Sequence, residues 1–201
     1  ITNPNTLGLF DKNLVEVIET VHAAGGLVYG DGANMNALLG IARPGDIGVD
    51  VMHFNLHKTF STPHGGGGPG SGPVGVAARL AEFLPGPVVT CLDCEGSPQY
   101  HLSMPAHSIG RVKSFYGHVG MMVRAYTYIA MHGPEGLRAV AENAVLNANY
   151  LLARLRGAYK VAYDRGCMHE FVLEGRWEDI PSIIALDISK RLLDYNIHPP
   201  T

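Results

Sequence analysis

Charge is scarce in this chain. Acidic and basic residues make up 16% of its 201 positions, 18 against 15, for a formal charge of -3. No basic run stands out, so nucleic acid is not an expected partner. Cysteine is scarcer still. Cys91, Cys94 and Cys167 are too few for a disulfide framework and suit a reducing compartment. Every apolar stretch is interrupted by charge, Gly or Pro before it reaches the length of a membrane span, so no membrane partner is expected. The opening Ile1-Thr2-Asn3-Pro4 has neither an initiator Met nor a secretory leader. Paired metal spacing is also missing. His53, His57, His64, His101, His107 and His118 show no zinc motif, and Cys91-Leu92-Asp93-Cys94 lacks a second Cys-x-x-Cys, so no metal is expected.

What remains is a globular chain. With 46% hydrophobic residues it is too apolar for disorder. Its length allows one good core, or most of a domain plus part of a second. It has 25 glycines, clustered rather than spread, and 10 histidines. Clustered glycine marks places where backbone takes positive φ or approaches something closely.

The patterning predicts a helix over 11–24, with Leu14, Ile18 and Val21 on one face, Asp11 as N-cap and Gly25-Gly26 as stop. Strands are expected over 27–29, running into Gly30-Asp31-Gly32, and over 49–54, with a helical turn over 36–41 stopped by Pro44-Gly45. Short apolar strands after a helix indicate an α/β sheet with largely parallel strands, whose ligands gather beyond the C-terminal strand ends. Residues 63–72 are too rich in Gly and Pro for regular structure. A strand is expected over 73–78, an irregular surface excursion over 88–107, and helices over 117–132 and 135–156, parted by Gly133-Pro134. The texture then changes, with strands at 160–163 and 169–173 and an amphipathic helix at 181–195. This places a boundary near 157: a large domain over 1–156 and the start of a small one over 157–201.

Lys58 follows the second strand in Asn55-Leu56-His57-Lys58-Thr59-Phe60. Lysine is the side chain that forms Schiff bases. On its own a strand-end lysine is usually a solvated charge. His57 and Asn55 offer hydrogen-bond donors for a phosphate or carboxylate, and backbone pairing is the plainer reading of each. Asp31 ends the preceding strand. It can pair with a protonated ring nitrogen or simply cap the following turn. Ala33 offers a small contact for a ring face. Gly65 to Gly68 lacks the Gly-Lys-Ser/Thr ending of a P-loop. That loop can fold over a ligand, admit another chain or stay mobile, with His64 as its polar contributor. Met121, Met122 and Met131 read as core or interface filling.

Taken together, Thr2-Asn3-Pro4-Asn5-Thr6-Leu7-Gly8, Asp31-Gly32-Ala33-Asn34, Asn55 through Gly70, Ala148-Asn149-Tyr150, Met168-His169-Glu170-Phe171 and Lys190 to Tyr195 with His198-Pro199-Pro200-Thr201 resemble the P-protein of the glycine cleavage system, the pyridoxal phosphate (PLP)-dependent glycine decarboxylase. The stretch 109–127 is closer to subunit 2 of the two-subunit bacterial form. The resemblance implies an aspartate-aminotransferase-like (fold type I) α/β fold, with part of the large cofactor domain and the start of a small C-terminal α+β domain. It implies Lys58 as the Schiff-base lysine, Asp31 opposite the pyridinium nitrogen, Ala33 against the ring, and His57 and Asn55 near the phosphate. It also implies PLP as cofactor, glycine as substrate, the lipoylated H-protein and P-protein subunit 1 as partners, an oligomer, and a bacterial cytoplasmic location. Segments before Ile1 are expected to complete the sheet and site, so this polypeptide alone is expected to be inactive. Another PLP decarboxylase or lyase of the same fold, or a non-catalytic assembly piece, stand as alternatives.

Overall fold

The computed structural model describes residues 1–92 and 96–199, so Cys94 and the closing Pro200-Thr201 lie outside the described residues. Helix α1 spans Leu14–Ala23. Its face of Leu14 and Ile18 packs on Val28, with Val21, Ile47 and Val49 around them. The helix starts three residues later than expected. Asn13, not Asp11, is the N-cap, and it makes no side-chain cap bond. At the other end Gly25 takes φ +79°, and the Gly26 N–H returns to the Val21 carbonyl at 2.9 Å. That closure needs a left-handed residue, which Gly supplies without strain.

Strand β1 is Tyr29–Gly32 and β2 is Val51–Phe54; they run parallel, with Asp31 opposite His53. β1 begins at the last residue of the apolar run 27–29 that announced it, and Leu27 is exposed. Strand β3, Val74–Val76, joins β2 antiparallel, against the expectation of largely parallel strands. The intervening residues 55–73 hold only the single turn Leu56–Thr59 and a Gly-rich loop, and the chain returns beside β2 in the opposite direction without a crossover over the sheet. Pro44 opens a 3-10 turn over Pro44–Ile47 instead of only ending one. On one side of β2, Met52 packs with Met35 and Leu38, joined by Phe54 and Met168.

Asp50 ties these pieces together. It is 2% exposed. Its Oδ2 accepts the Val28 N–H at 2.7 Å and stands 2.8 Å from His22 Nε2 on α1, while Oδ1 pairs with the Arg79 guanidinium beyond β3. Its backbone N–H donates to the Val28 carbonyl and its carbonyl accepts from Ala77. Burial works against the charge and would raise its pKa. The Val28 N–H, the His22 ring and Arg79 outweigh burial and hold the carboxyl below its ordinary value.

Strands β4 (Val88–Leu92) and β5 (Gln99–Ser103) form an antiparallel hairpin where an irregular excursion was expected. Its alternation was hidden because both faces are largely exposed, so no buried stripe marks a period of two. Helix α3, Val119–Leu155, bends at Gly133 (φ 63°, ψ −177°) ahead of Pro134, so the two expected helices form its two arms. The later strands are short: β6 is Lys160–Val161 and β7 is Leu173–Glu174. The expected strand at 169–173 thus shrinks to its last residue, and His169 lies in the loop before it. Helix α4, Ala185–Asp194, follows. Among the described residues no helix is long and apolar enough to cross a membrane.

Asp50→Asn should lower unfolding stability by roughly 2–4 kcal/mol, the usual cost of breaking a buried charged network. A depressed carboxylate pKa contributes stability that is present above the unfolded value of about 3.9 and is lost as pH falls through the folded value. Urea midpoints for wild type and the variant should therefore differ at neutral pH and converge in acid. A gap that persists in acid would show that the charge is not what stabilises.

Candidate functional site

Parallel pairing puts the C-terminal ends of β1 and β2 side by side. Asp31 is the third residue of β1. Lys58 lies four residues past β2, on helix α2, Leu56–Thr59. Asn55 is the N-cap of α2; its side chain makes no cap bond, while its carbonyl accepts the Lys58 and Thr59 N–H groups at 3.1 Å each. Leu56 and Thr59 are buried, at 4% and 3% exposure, and anchor one face of this single turn. Residues three apart share a helical face, so Lys58 falls on another and is exposed. Among the described residues Lys58 has no ion-pair partner.

At Asp31, Oδ1 accepts the Ala33 N–H at 2.9 Å, so the residue does cap the following turn. The same oxygen stands 3.3 Å from His53 Nε2. Gly32 has no room for a side chain, because an added Cβ would overlap the His53 carbonyl oxygen. Ala33 is half-buried beside it.

His57 turns toward the Gly-rich loop. Its ring meets that of His64 edge-on, with centroids 5.1 Å apart. His64 holds the loop's first turn, since Gly67 N–H donates to His64 Nδ1 at 3.2 Å. Gly65, Gly66 and Gly67 all take positive φ. Burial first, then the neighbouring charges of His64 and Lys58, push the His57 pKa below its ordinary value.

His169 is a neighbour that the sequence motifs contained but did not single out. Its side chain is 9% exposed. Burial lowers its pKa, Glu170 works in the opposite direction, and the Lys58 charge adds to the lowering. Two clamps hold its loop. Met168 N–H donates to the Gly8 carbonyl at 2.7 Å, and Asn149 bonds both the N–H and the carbonyl of Cys167, at 3.2 and 2.6 Å. Gly8, at φ +75°, is obligatory because a Cβ would overlap the Glu170 carbonyl. The signal available in the sequence was the pairing of Asn5-Thr6-Leu7-Gly8 with Met168-His169-Glu170, two distant segments of one resemblance.

Buried polar atoms without a hydrogen-bond partner cluster in the same segments: Nδ1 of His57 and of His169, Oγ1 of Thr59 and Thr62, and Oε1 of Glu170. Such atoms are costly unless something pairs with them. An exposed amine, a strand-end carboxylate with one oxygen engaged, a small residue beside it and unpaired polar atoms match what an aldehyde cofactor bearing a ring nitrogen and a phosphate needs. The residues present fit PLP. Among the described residues no three His, Cys, Asp or Glu side chains converge as metal ligands would.

The chain is 57% identical to the probable glycine dehydrogenase (decarboxylating) subunit 2 of Chloroherpeton thalassium, over 100% of its own length and 41% of that protein. It is 59% identical to the protein of the same name from Caldanaerobacter subterraneus subsp. tengcongensis, again over 100% of the chain and 41% of the relative. Over its whole length the chain is similar to one part of the proteins named glycine dehydrogenase (decarboxylating) subunit 2. It spans about two fifths of the length of the curated relatives it matches. The family model for the glycine dehydrogenase C-terminal domain matches residues 140–201. A crystal structure of glycine decarboxylase (P-protein) of the glycine cleavage system, in inhibitor-bound form, superposes with a TM-score of 0.79 at 24% identity, covering 98% of this chain and 45% of that one. That likeness shows the fold, the fold-type-I α/β arrangement of PLP enzymes.

Both site histidines have folded pKa values below the ordinary value of about 6.5. A lowered histidine contributes stability that is fully present above about 6.5 and lost as pH falls through the folded value, because the unfolded chain takes up protons first. NMR titration should find His57 and His169 still neutral where exposed histidines are half charged. Titration at the ordinary value would show that they are hydrated.

Proposed function

We propose that this chain carries Lys58 and Asp31 as the cofactor-holding pair of a PLP-dependent glycine decarboxylase, acting in the glycine cleavage system. The single observation that carries the reading is the juxtaposition of Asp31 and Lys58 at the same end of the parallel pair β1–β2. The names of relatives 57–59% identical support it. PLP, when bound, supplies an electron-accepting ring that takes up the charge left when a carboxylate departs.

The roles of the chain's own residues follow from their chemistry. Lys58 offers its Nζ to the cofactor aldehyde. Asp31 offers the carboxylate oxygen not engaged by Ala33 and His53 to a protonated ring nitrogen, and Ala33 offers its methyl to the ring face. His57 and Asn55 supply donors for the phosphate. The Gly-rich loop packs against the His57 ring through His64 and Gly70. The substrate is glycine, and the aminomethyl product passes to the lipoyl arm of the H-protein. We assign residues 1–156 to the large domain and 157–201 to the small one. Activity belongs to the assembled oligomeric enzyme with P-protein subunit 1, in the bacterial cytoplasm, rather than to this segment alone.

Borohydride reduction of the full-length enzyme after incubation with PLP should add the cofactor's mass to the peptide containing Lys58. Lys58→Ala should remove that increment and lower exchange of the glycine carboxyl with carbon dioxide by roughly a thousandfold or more. A cofactor increment on a different lysine would overturn the assignment.

A further inference from the structure

We infer that His53 is a positioning residue for Asp31, held in one tautomer by Tyr29, so that three side chains on one face of the β1–β2 pair aim a single carboxylate oxygen at the ligand. The inference deepens the reading of Asp31 given above and rests on it.

Tyr29 and Asp31 are two apart on β1 and share a face, and His53 is the β2 residue paired with Asp31. The Tyr29 hydroxyl lies 2.6 Å from His53 Nδ1, and His53 Nε2 lies 3.3 Å from Asp31 Oδ1. The Tyr29 and His53 rings are tilted by 31°, with centroids 5.7 Å apart. Gly32 lets the strands approach closely enough for this, since any side chain there would meet the His53 carbonyl.

The donor inventory assigns the protons. A carboxylate oxygen 3.3 Å away repels a bare ring nitrogen and only accepts, which favours the hydrogen on Nε2. A neutral imidazole has one N–H, so Nδ1 is then the acceptor and the Tyr29 O–H donates to it. The opposite tautomer would set a bare nitrogen against a carboxylate oxygen. That oxygen accepts the Ala33 N–H and faces the His53 ring at 3.3 Å. The carboxylate is thereby fixed in rotation, and its second oxygen is the one presented. Partners of this kind orient functional ligands in metal sites, and the same logic holds for a carboxylate facing a ring nitrogen.

The test uses the full-length enzyme. In selectively labelled protein, ¹⁵N NMR of His53 should show the Nε2–H tautomer without any variant or cofactor; an Nδ1–H tautomer overturns the inference. Tyr29→Phe should return His53 to a tautomer mixture; an unchanged signal also overturns it. With ¹⁵N-ring-labelled PLP bound, the ring-nitrogen shift should be that of a protonated nitrogen in wild type. It should be retained in His53→Gln, whose amide can reach Asp31, and move toward the unprotonated value in His53→Asn. Retention of cofactor should weaken about tenfold in His53→Asn, the order expected for losing one polar contact to a charged group. A wild-type ring-nitrogen shift in His53→Asn overturns the role even if Lys58 is loaded. Failure to load Lys58 in wild type would instead strike the reading of the site, and the tautomer measurement would still decide this one.

Discussion

The carboxylate of Asp50 is buried where α1, the approach to β1, the start of β2 and the segment after β3 meet. A buried charge with one partner is expensive; with a backbone N–H, an imidazole and a guanidinium around it, the charged form is favoured over the neutral one. Satisfying that one group requires the strand starts to be in register and α1 to lie across them. The register it helps set is the one that puts Asp31 opposite His53 and lets both strands end on the same side.

From that register the site follows by short steps. A strand that ends at Phe54 leads through Asn55 into a single helical turn, and burial of Leu56 and Thr59 decides which way Lys58 faces. The loop carrying His169 comes from more than a hundred residues later in the chain. It is held by Gly8 on one side and Asn149 on the other. Met168 then packs beside Met35, Leu38 and Met52, the core beneath the same strand end. Stability and site thus share residues. Unpaired buried polar atoms lie on α2, just after it and in the loop carrying His169.

Some of this was legible early because the signal is local. Helix α1 shows its buried face through Leu14, Ile18 and Val21, and its end through two glycines. The bend of α3 is announced by Gly133-Pro134. Other features were misread for equally local reasons. The hairpin β4–β5 is exposed on both faces and carries no alternation. Asp11 has the right chemistry for an N-cap but stands too early, because α1 begins at Leu14, the first residue of its buried face. The third strand runs antiparallel because the connection from β2, one helical turn and a Gly-rich loop, makes no crossover over the sheet.

The sequence by itself determined the residue types of the site and their order. Asp31, Ala33, Asn55, His57 and Lys58 sit in short motifs whose chemistry is intrinsic to the side chains, and the neighbouring glycines declare where backbone must be unusual. Tertiary structure alone decided who meets whom. His53 reaches Asp31 only through strand pairing, and the loop carrying His169 reaches the core beneath β2 only through clamps made by distant segments. The Asp50 charge holds only because three elements converge on it. Contacts between residues far apart in sequence depend on packing and register, which no single stretch of chain encodes.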